Sequence, residues 1–270
     1  MPHHTAQVAT RMTGARHPFL DHPTPTAVAH RGGAREAEEN TMEAFARAVD
    51  LGFTHIETDV HATRDGVAVI HHDPSFARMT GETARIADLD WSDIARIRTH
   101  GGAAIPRAEE VLASFPDLHV TFELKCDRVA APLAEVIRRA DALARVCVGS
   151  FAVKRTAAIR AMLGPGLCWS PGQAGVLALW LAGQGLPMRR PGFAVAQVPP
   201  VFRGIPVVTP GVLRAATARG IDIQVWTVDD PVEMARLLDL GVHAIMTDRP
   251  TVLRDVLDRR GQWTGRAGTR

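Results

Sequence analysis

The sequence predicts an α/β protein: a closed (β/α)8 TIM barrel with a small insertion after its second barrel strand. Three observations predict it. Eight short strand candidates each precede a helix-like segment in strict alternation, the pattern of parallel strands joined by crossover helices. Ionisable side chains gather at the carboxyl ends of the first three of those strands, where barrels place their chemistry. No Gly-x-Gly-x-x-Gly follows the first strand, which weakens the rival, an open doubly wound sheet binding a dinucleotide.

The first strand candidate, 27–31, ends in His30-Arg31 and runs into Gly32 and Gly33, which permit a tight turn. Met42, Phe45, Ala46 and Val49 then recur at helical spacing, with Asn40 or Thr41 as cap, Glu43 in the first turn and Gly52 as the stop. The second strand is 55–60. Asp65-Gly66 lies between two β-prone runs, 56–63 and 67–71, and predicts a hairpin. Its return brings His72 to the level of Glu57 and Asp59, and alternation turns His71 the other way.

Residues 74–107 are irregular, with Gly81, Gly101, Gly102, Pro106 and a short helical piece at 91–97. They read as the insertion. A helix at 107–114 leads to the third barrel strand at 119–125. The remaining strands are expected at 146–151, 166–169, 193–198, 221–228 and 243–247. Helices are expected between them at 129–144, 153–163, 173–184, 210–219 and 230–240, with a last one at 251–258. The barrel domain thus spans 25–258. A flexible leader is expected over 1–24, with His3 and His4 in solvent, and a loose tail over 259–270.

The totals agree with one large domain. The chain has 270 residues, 46% of them hydrophobic, and a formal charge of +2. No basic run is dense enough to argue for nucleic acid. Cys126, Cys147 and Cys168 are odd in number and widely spaced, which suggests reduced thiols in a cytoplasmic protein. No stretch approaches the ~18 apolar residues of a membrane span, and the N-terminus lacks a signal-peptide core. The most apolar stretch is 174–182. Helical spacing within its Val176–Leu181 run predicts burial in the core.

The chemistry follows from the strand ends. Glu57 and Asp59 are two apart on a strand, as are Glu123 and Lys125, so each pair projects to one face with Cα atoms ~6.5 Å apart. Glu57 with Asp59 would suit a surface pair, and Glu123 with Lys125 a structural ion pair, if each stood alone. Three convergent carboxylates repel one another, and a divalent cation relieves that repulsion. An all-oxygen set suits one Mg²⁺ or Ca²⁺ better than Zn²⁺. His30 and His72 suit acid and base work near neutral pH, and Arg31 and Lys125 suit an anion. Together these describe a phosphoester site. His55, His61, His100, His119 and His243 read as structural or surface residues.

At these residues the chain resembles the glycerophosphodiester phosphodiesterase family, over about 26–257. The likeness lies in His30-Arg31-Gly32, Glu39-Asn40-Thr41 with Phe45, Ile56-Glu57-Thr58-Asp59-Val60 and Thr63-Arg64-Asp65-Gly66. It continues in His72-Asp73, Ile105-Pro106 with Glu109-Glu110-Val111-Leu112, and Phe122-Glu123-Leu124-Lys125. Val225-Trp226-Thr227-Val228 and Thr247-Asp248-Arg249-Pro250 complete it. The resemblance implies a TIM barrel, one divalent cation on Glu57, Asp59 and Glu123, and acid–base catalysis by His30 and His72. It implies phosphate contacts from Arg31 and Lys125, Trp226 near the alcohol moiety, and Asn40 close to the site. The implied reaction is hydrolysis of a small-molecule glycerophosphodiester to glycerol 3-phosphate and an alcohol, with His72 favoured as base and His30 as acid. One departure stands out, since Glu39 occupies a position that is usually Pro in the family.

The rival functions are a lysophospholipase D or sphingomyelinase-D-like enzyme, a non-catalytic phosphoester-binding barrel, and a carboxylate-metal sugar isomerase. A lipid substrate would need an exposed apolar rim at the barrel mouth. A binding module would fit the loss of a histidine or carboxylate, and none is lost. Two cations beside the histidines favour a phosphate over a neutral sugar.

Overall fold

Buried runs set the strands of this protein, and the computed structural model describes residues 16–189 and 191–266. In chain order the strands are β1 (Thr26–His30), β2 (His55–Ala62), β3 (Ala68–Ile70), β4 (His119–Leu124), β5 (Val146–Gly149) and β6 (Cys168–Trp169). They continue as β7 (Val195–Val198), β8 (Val201–Phe202), β9 (Ile205–Pro206), β10 (Asp222–Val225) and β11 (Ala244–Thr247). Eight are parallel, in the order β6-β5-β4-β2-β1-β11-β10-β7. They form a nearly closed barrel with helices between them. Every residue of β2 is buried, as expected where helices cover one face and other strands the opposite one.

The seam lies between β6 and β7, the two ends of that order. β6 is only two residues long, so a side chain bridges the gap: the backbone N–H of Gln197 donates to Ser170 Oγ at 3.0 Å. β10 stops at Val225, short of the expected 228, because Trp226 and Thr227 leave the sheet to line the barrel mouth.

The hairpin falls where Asp65-Gly66 places it. β3 runs antiparallel to β2, with Val60 opposite Ile70 and Ala62 opposite Ala68. The His71 N–H donates to the Asp59 carbonyl at 3.1 Å, which sets His72 beside the acidic strand end. His71 turns inward, its Nε2 3.1 Å from the Ser75 carbonyl. Residues 74–107 carry short helices at Ala77–Thr80 and Trp91–Ile94, over a small core of their own that includes Val69, Phe76, Ile86, Ile94 and Ile105.

Two expectations about packing need correction. Of the leader expected over 1–24, residues 1–15, with His3 and His4, lie outside the described residues, but 16–24 are not loose. Phe19 and Leu20 are buried with Cys147, Cys168 and Val195, and plug the N-terminal end of the barrel. Two apolar side chains in one short 3-10 turn, Pro18–Leu20, gave too little periodicity to announce this. At the other end, positions 267–270 lie outside the described residues, while Trp263 packs edge-on against Phe53 at 5.3 Å and the Arg266 N–H donates to the Gly52 carbonyl.

The helix Gln173–Gly183 is the second correction. Only Leu179 is buried in it, and Leu177 is exposed. A helix apolar all round has no polar face to tell the core side from the solvent side. Its spacing therefore could not assign Val176–Leu181 to the core.

Candidate active site

The site begins at the end of β1. Arg31 takes a left-handed backbone, φ 52°, and Gly32 follows at φ 83°. A Cβ on Gly32 would lie 2.7 Å from the Ala44 Cβ, so only glycine lets the turn meet the helix Met42–Asp50. The chain then reaches Asn40, also left-handed at φ 58°, and Thr41 caps the helix by accepting from the Ala44 N–H. Buried Asn40 donates from Nδ2 to Asp59 Oδ2 at 2.9 Å and accepts from the Thr58 hydroxyl at 2.7 Å. The first loop thus grips the second strand.

Glu57, Asp59 and Glu123 each offer a carboxylate oxygen within 4.8 Å of the other two. β2 and β4 are in register with Asp59 opposite Glu123. Lys125 Nζ lies 2.9 Å from Asp59 Oδ1 and 2.8 Å from Glu123 Oε2. Arg31 Nε lies 3.0 Å from Asp59 Oδ2. Burial opposes charge on Asp59, but Lys125, Arg31 and Asn40 outweigh it and hold the carboxylate below its usual range. Glu57 is different. Burial, then repulsion from Asp59, pushes its carboxyl up to about 8. Its buried Oε2 makes no hydrogen bond. An orphaned oxygen beside two more carboxylates is what an oxygen-liganded cation would satisfy, so these residues fit a divalent ion.

Each histidine is held by an aspartate. His30 Nδ1 lies 2.6 Å from Asp248 Oδ1, just past the end of β11, and its Nε2 lies 3.5 Å from Glu57 Oε2. Burial opposes charge on this ring, but Glu57 and Asp248 outweigh it and raise its affinity for a proton. His72 Nδ1 lies 2.7 Å from Asp73 Oδ1. A ring nitrogen facing a carboxylate carries the hydrogen, so both rings keep Nε2 for chemistry.

All these side chains meet at a cavity of about 700 Å³ at the C-terminal mouth of the barrel. His30, Arg31, Glu57, His72, Glu123, Lys125 and Trp226 line it, while Asp59 and Asn40 stand just behind. Trp226 meets Phe151 edge-on at 5.8 Å. Sequence reasoning assigned no role to Asp248, Asp73, Glu39 or Arg78. Glu39 Oε1 accepts from Arg31 at 3.2 Å and from Arg78 at 2.6 Å, and Arg78 also reaches Asp73. The residue that departs from the family pattern thus joins Arg31 to the insertion. A usable signal existed for Asp248, an acid at the end of the eighth strand. None existed for Arg78, which the insertion brings in.

The opposite wall is apolar. Pro171, Val176, Leu177, Trp180, Phe202 and Ile205 line it. Phe202 and Ile205 come from the β8–β9 hairpin, which lies between the strand expected at 193–198 and the helix expected at 210–219 and was not expected as an element.

Cations, clustered carboxylates and oriented imidazoles at one barrel mouth suit phosphodiester hydrolysis, and they place the chain among the barrel phosphodiesterases. The model of the glycerophosphoryl diester phosphodiesterase family matches residues 30–252. Probable glycerophosphodiester phosphodiesterase 2 of Mycobacterium tuberculosis is 39% identical over 254 residues, covering 92% of this chain and 96% of that protein. The chain belongs to the glycerophosphoryl diester phosphodiesterase family. Solved structures share the fold. A putative glycerophosphoryl diester phosphodiesterase from Silicibacter pomeroyi superposes with a TM-score of 0.76 at 22% identity, over 90% of this chain and 97% of its own. An Oleispira antarctica phosphodiesterase, solved with the product sn-glycerol-3-phosphate, superposes at 0.71 and 20% identity, over 87% and 97%.

Proposed function

We propose that this enzyme hydrolyses small glycerophosphodiesters to glycerol 3-phosphate and an alcohol. It depends on one divalent cation, Mg²⁺ or Ca²⁺, held by Glu57, Asp59 and Glu123. The observation that carries the reading is the convergence of those carboxylates between two imidazoles, each fixed by an aspartate. The product in the Oleispira antarctica structure supports the substrate class. When bound, the cation supplies Lewis-acid polarisation of the phosphoryl group.

The residues of the chain do the rest. Arg31 and Lys125 offset the phosphate charge. His72 Nε2 takes the proton of the attacking oxygen, and His30 Nε2 gives one to the departing alkoxide. The attacker is water itself or the glycerol hydroxyl, whose cyclic phosphate water then opens to glycerol 3-phosphate. The pull of Glu57 and Asp248 on the His30 proton supports that order. Trp226 packs against the alcohol. Three free thiols suit a cytoplasmic setting.

The apolar wall favours a second reading, release of the head group from a single-chain lysophospholipid. One assay separates the two. Purified protein is given glycerophosphocholine, glycerophosphoethanolamine, glycerophosphoglycerol, glycerophosphoinositol or lysophosphatidylcholine, each with Mg²⁺, Ca²⁺ or EDTA. Metal-dependent release of glycerol 3-phosphate supports the first reading. Choline release from the lysolipid alone supports the second, and silence on all substrates removes both.

A further inference from the structure

One side of the barrel mouth, away from the carboxylates, has an apolar rim. Phe151, Leu177, Val201, Phe202 and Ile205 are each between 46% and 59% exposed. Four of these five line the catalytic cavity, so they border one opening rather than scatter singly. Contiguous exposed apolar surface of this kind marks an interaction site.

The hairpin is built to stand away from the barrel. Arg203 and Gly204 both take positive φ, 49° and 80°, as a two-residue turn with right-handed strand twist requires. Val201 and Phe202 are neighbours on one strand, so they point to opposite faces, and both are exposed. A hairpin packed on a core would bury one of those faces. The Trp180 indole N–H donates to the Pro206 carbonyl at 3.0 Å and ties the hairpin to the helix Gln173–Gly183. At the tip, the Arg203 guanidinium lies 5.5 Å from the centre of the Phe202 ring.

The charge of this sector decides between occupants. Residues 142–221 contain nine Lys and Arg and not one Asp or Glu, while the rest of the chain holds 22 and 29 respectively. Among the described residues only Lys154 and Arg155 of that stretch pair with a carboxylate, Asp127. Of those nine, Lys154 and Arg155 open the helix Val153–Leu163 beside Phe151, and Arg203 stands at the hairpin tip. A second copy of this chain docking by the same face would bring these like charges together, which is repulsive. A lipid surface bearing anionic head groups meets both properties. Apolar side chains enter the acyl boundary, and Arg203 at the tip, with Lys154 beside Phe151 on the rim, attracts the head groups over a Debye length.

We infer that the β8–β9 hairpin, with Phe151 and Leu177, is a docking surface for an anionic lipid bilayer. It sets the catalytic mouth against the membrane. No helix among the described residues is long and apolar enough to cross a membrane.

The test is sedimentation of the full chain with phosphatidylcholine vesicles, with or without phosphatidylglycerol, alongside the double variant Val201→Asp/Arg203→Glu. The wild-type protein is expected to pellet with the anionic vesicles and to be released by salt, and the variant to bind roughly tenfold more weakly. A thermal melt of the variant matching wild type excludes misfolding. Three vesicle results overturn the inference: no wild-type pelleting, unchanged pelleting of the variant, or equal pelleting with neutral vesicles. Concentration-dependent dimers that the variant abolishes, seen by sedimentation velocity, overturn it in favour of a second copy. The readout needs no turnover, so its failure leaves the phosphodiesterase reading standing.

Discussion

His30 Nδ1 lies 2.6 Å from Asp248 Oδ1, a contact between residues 218 positions apart. It joins the ends of the first and last barrel strands, which are neighbours in register from Thr26 opposite Ala244 to Ala29 opposite Thr247. Barrel closure therefore aims the imidazole.

That contact makes Asp248 a positioning residue. Asp248→Asn is expected to lower kcat by about 10² or more with little change in KM, because the amide can stabilise the wrong tautomer. The acid limb that the proposed mechanism assigns to His30 should also move. Asp248 raises the proton affinity of that ring, so without it the protonated form is lost at lower pH. The alkaline side of the kcat/KM profile shifts downward. An unchanged profile would remove the role.

Removing the cation is expected to abolish turnover and adding back Mg²⁺ or Ca²⁺ to restore it. The Glu57 carboxyl sits up at about 8 while burial and Asp59 oppose its charge. Cation binding must strip that proton at neutral pH. Titration calorimetry in buffers of different ionisation enthalpy should therefore report proton release, which Glu57→Gln loses together with affinity.

Asn40→Ala is expected to destabilise the fold by ~1–3 kcal/mol in urea denaturation, since Thr58 loses a buried acceptor and Asp59 a donor. A further cost comes from alanine at a φ of 58°. Asn40→Gly should recover the backbone part only, which separates the two contributions.

Three imidazoles close the opposite end of the barrel. His55 stacks on His119 at 4.5 Å, and His22 lies 4.2 Å from His55. Burial first, then neighbouring imidazoles, lowers the pKa of His55 and His119, the latter to about 4; burial also lowers His22. The folded state keeps these rings neutral, while the unfolded chain takes up protons near 6.5. Stability is therefore complete above that pH and falls as pH drops from 6.5 towards 4. The melting temperature should decline over that window, and His119→Gln should flatten the decline.

Much of this was legible because barrel chemistry sits at strand ends. Two-residue spacing put Glu57 with Asp59 on one face, and Asp65-Gly66 announced the hairpin that returns His72. Helix bounds were readable where a cap or a glycine stop marked them, as at Thr41 and Gly52. The helix at 173–183 was not readable, since uniform apolarity carries no direction.

The order of strands and helices, the acidic residues at their ends and the two histidines were determined by the sequence itself, because periodicity and side-chain chemistry are local properties. Tertiary structure alone decided which aspartate holds each imidazole, that Glu39 links Arg31 to Arg78, and that Leu177 and Phe202 face solvent rather than core. Those are distances between segments far apart in the chain, and they come into being only when the barrel closes.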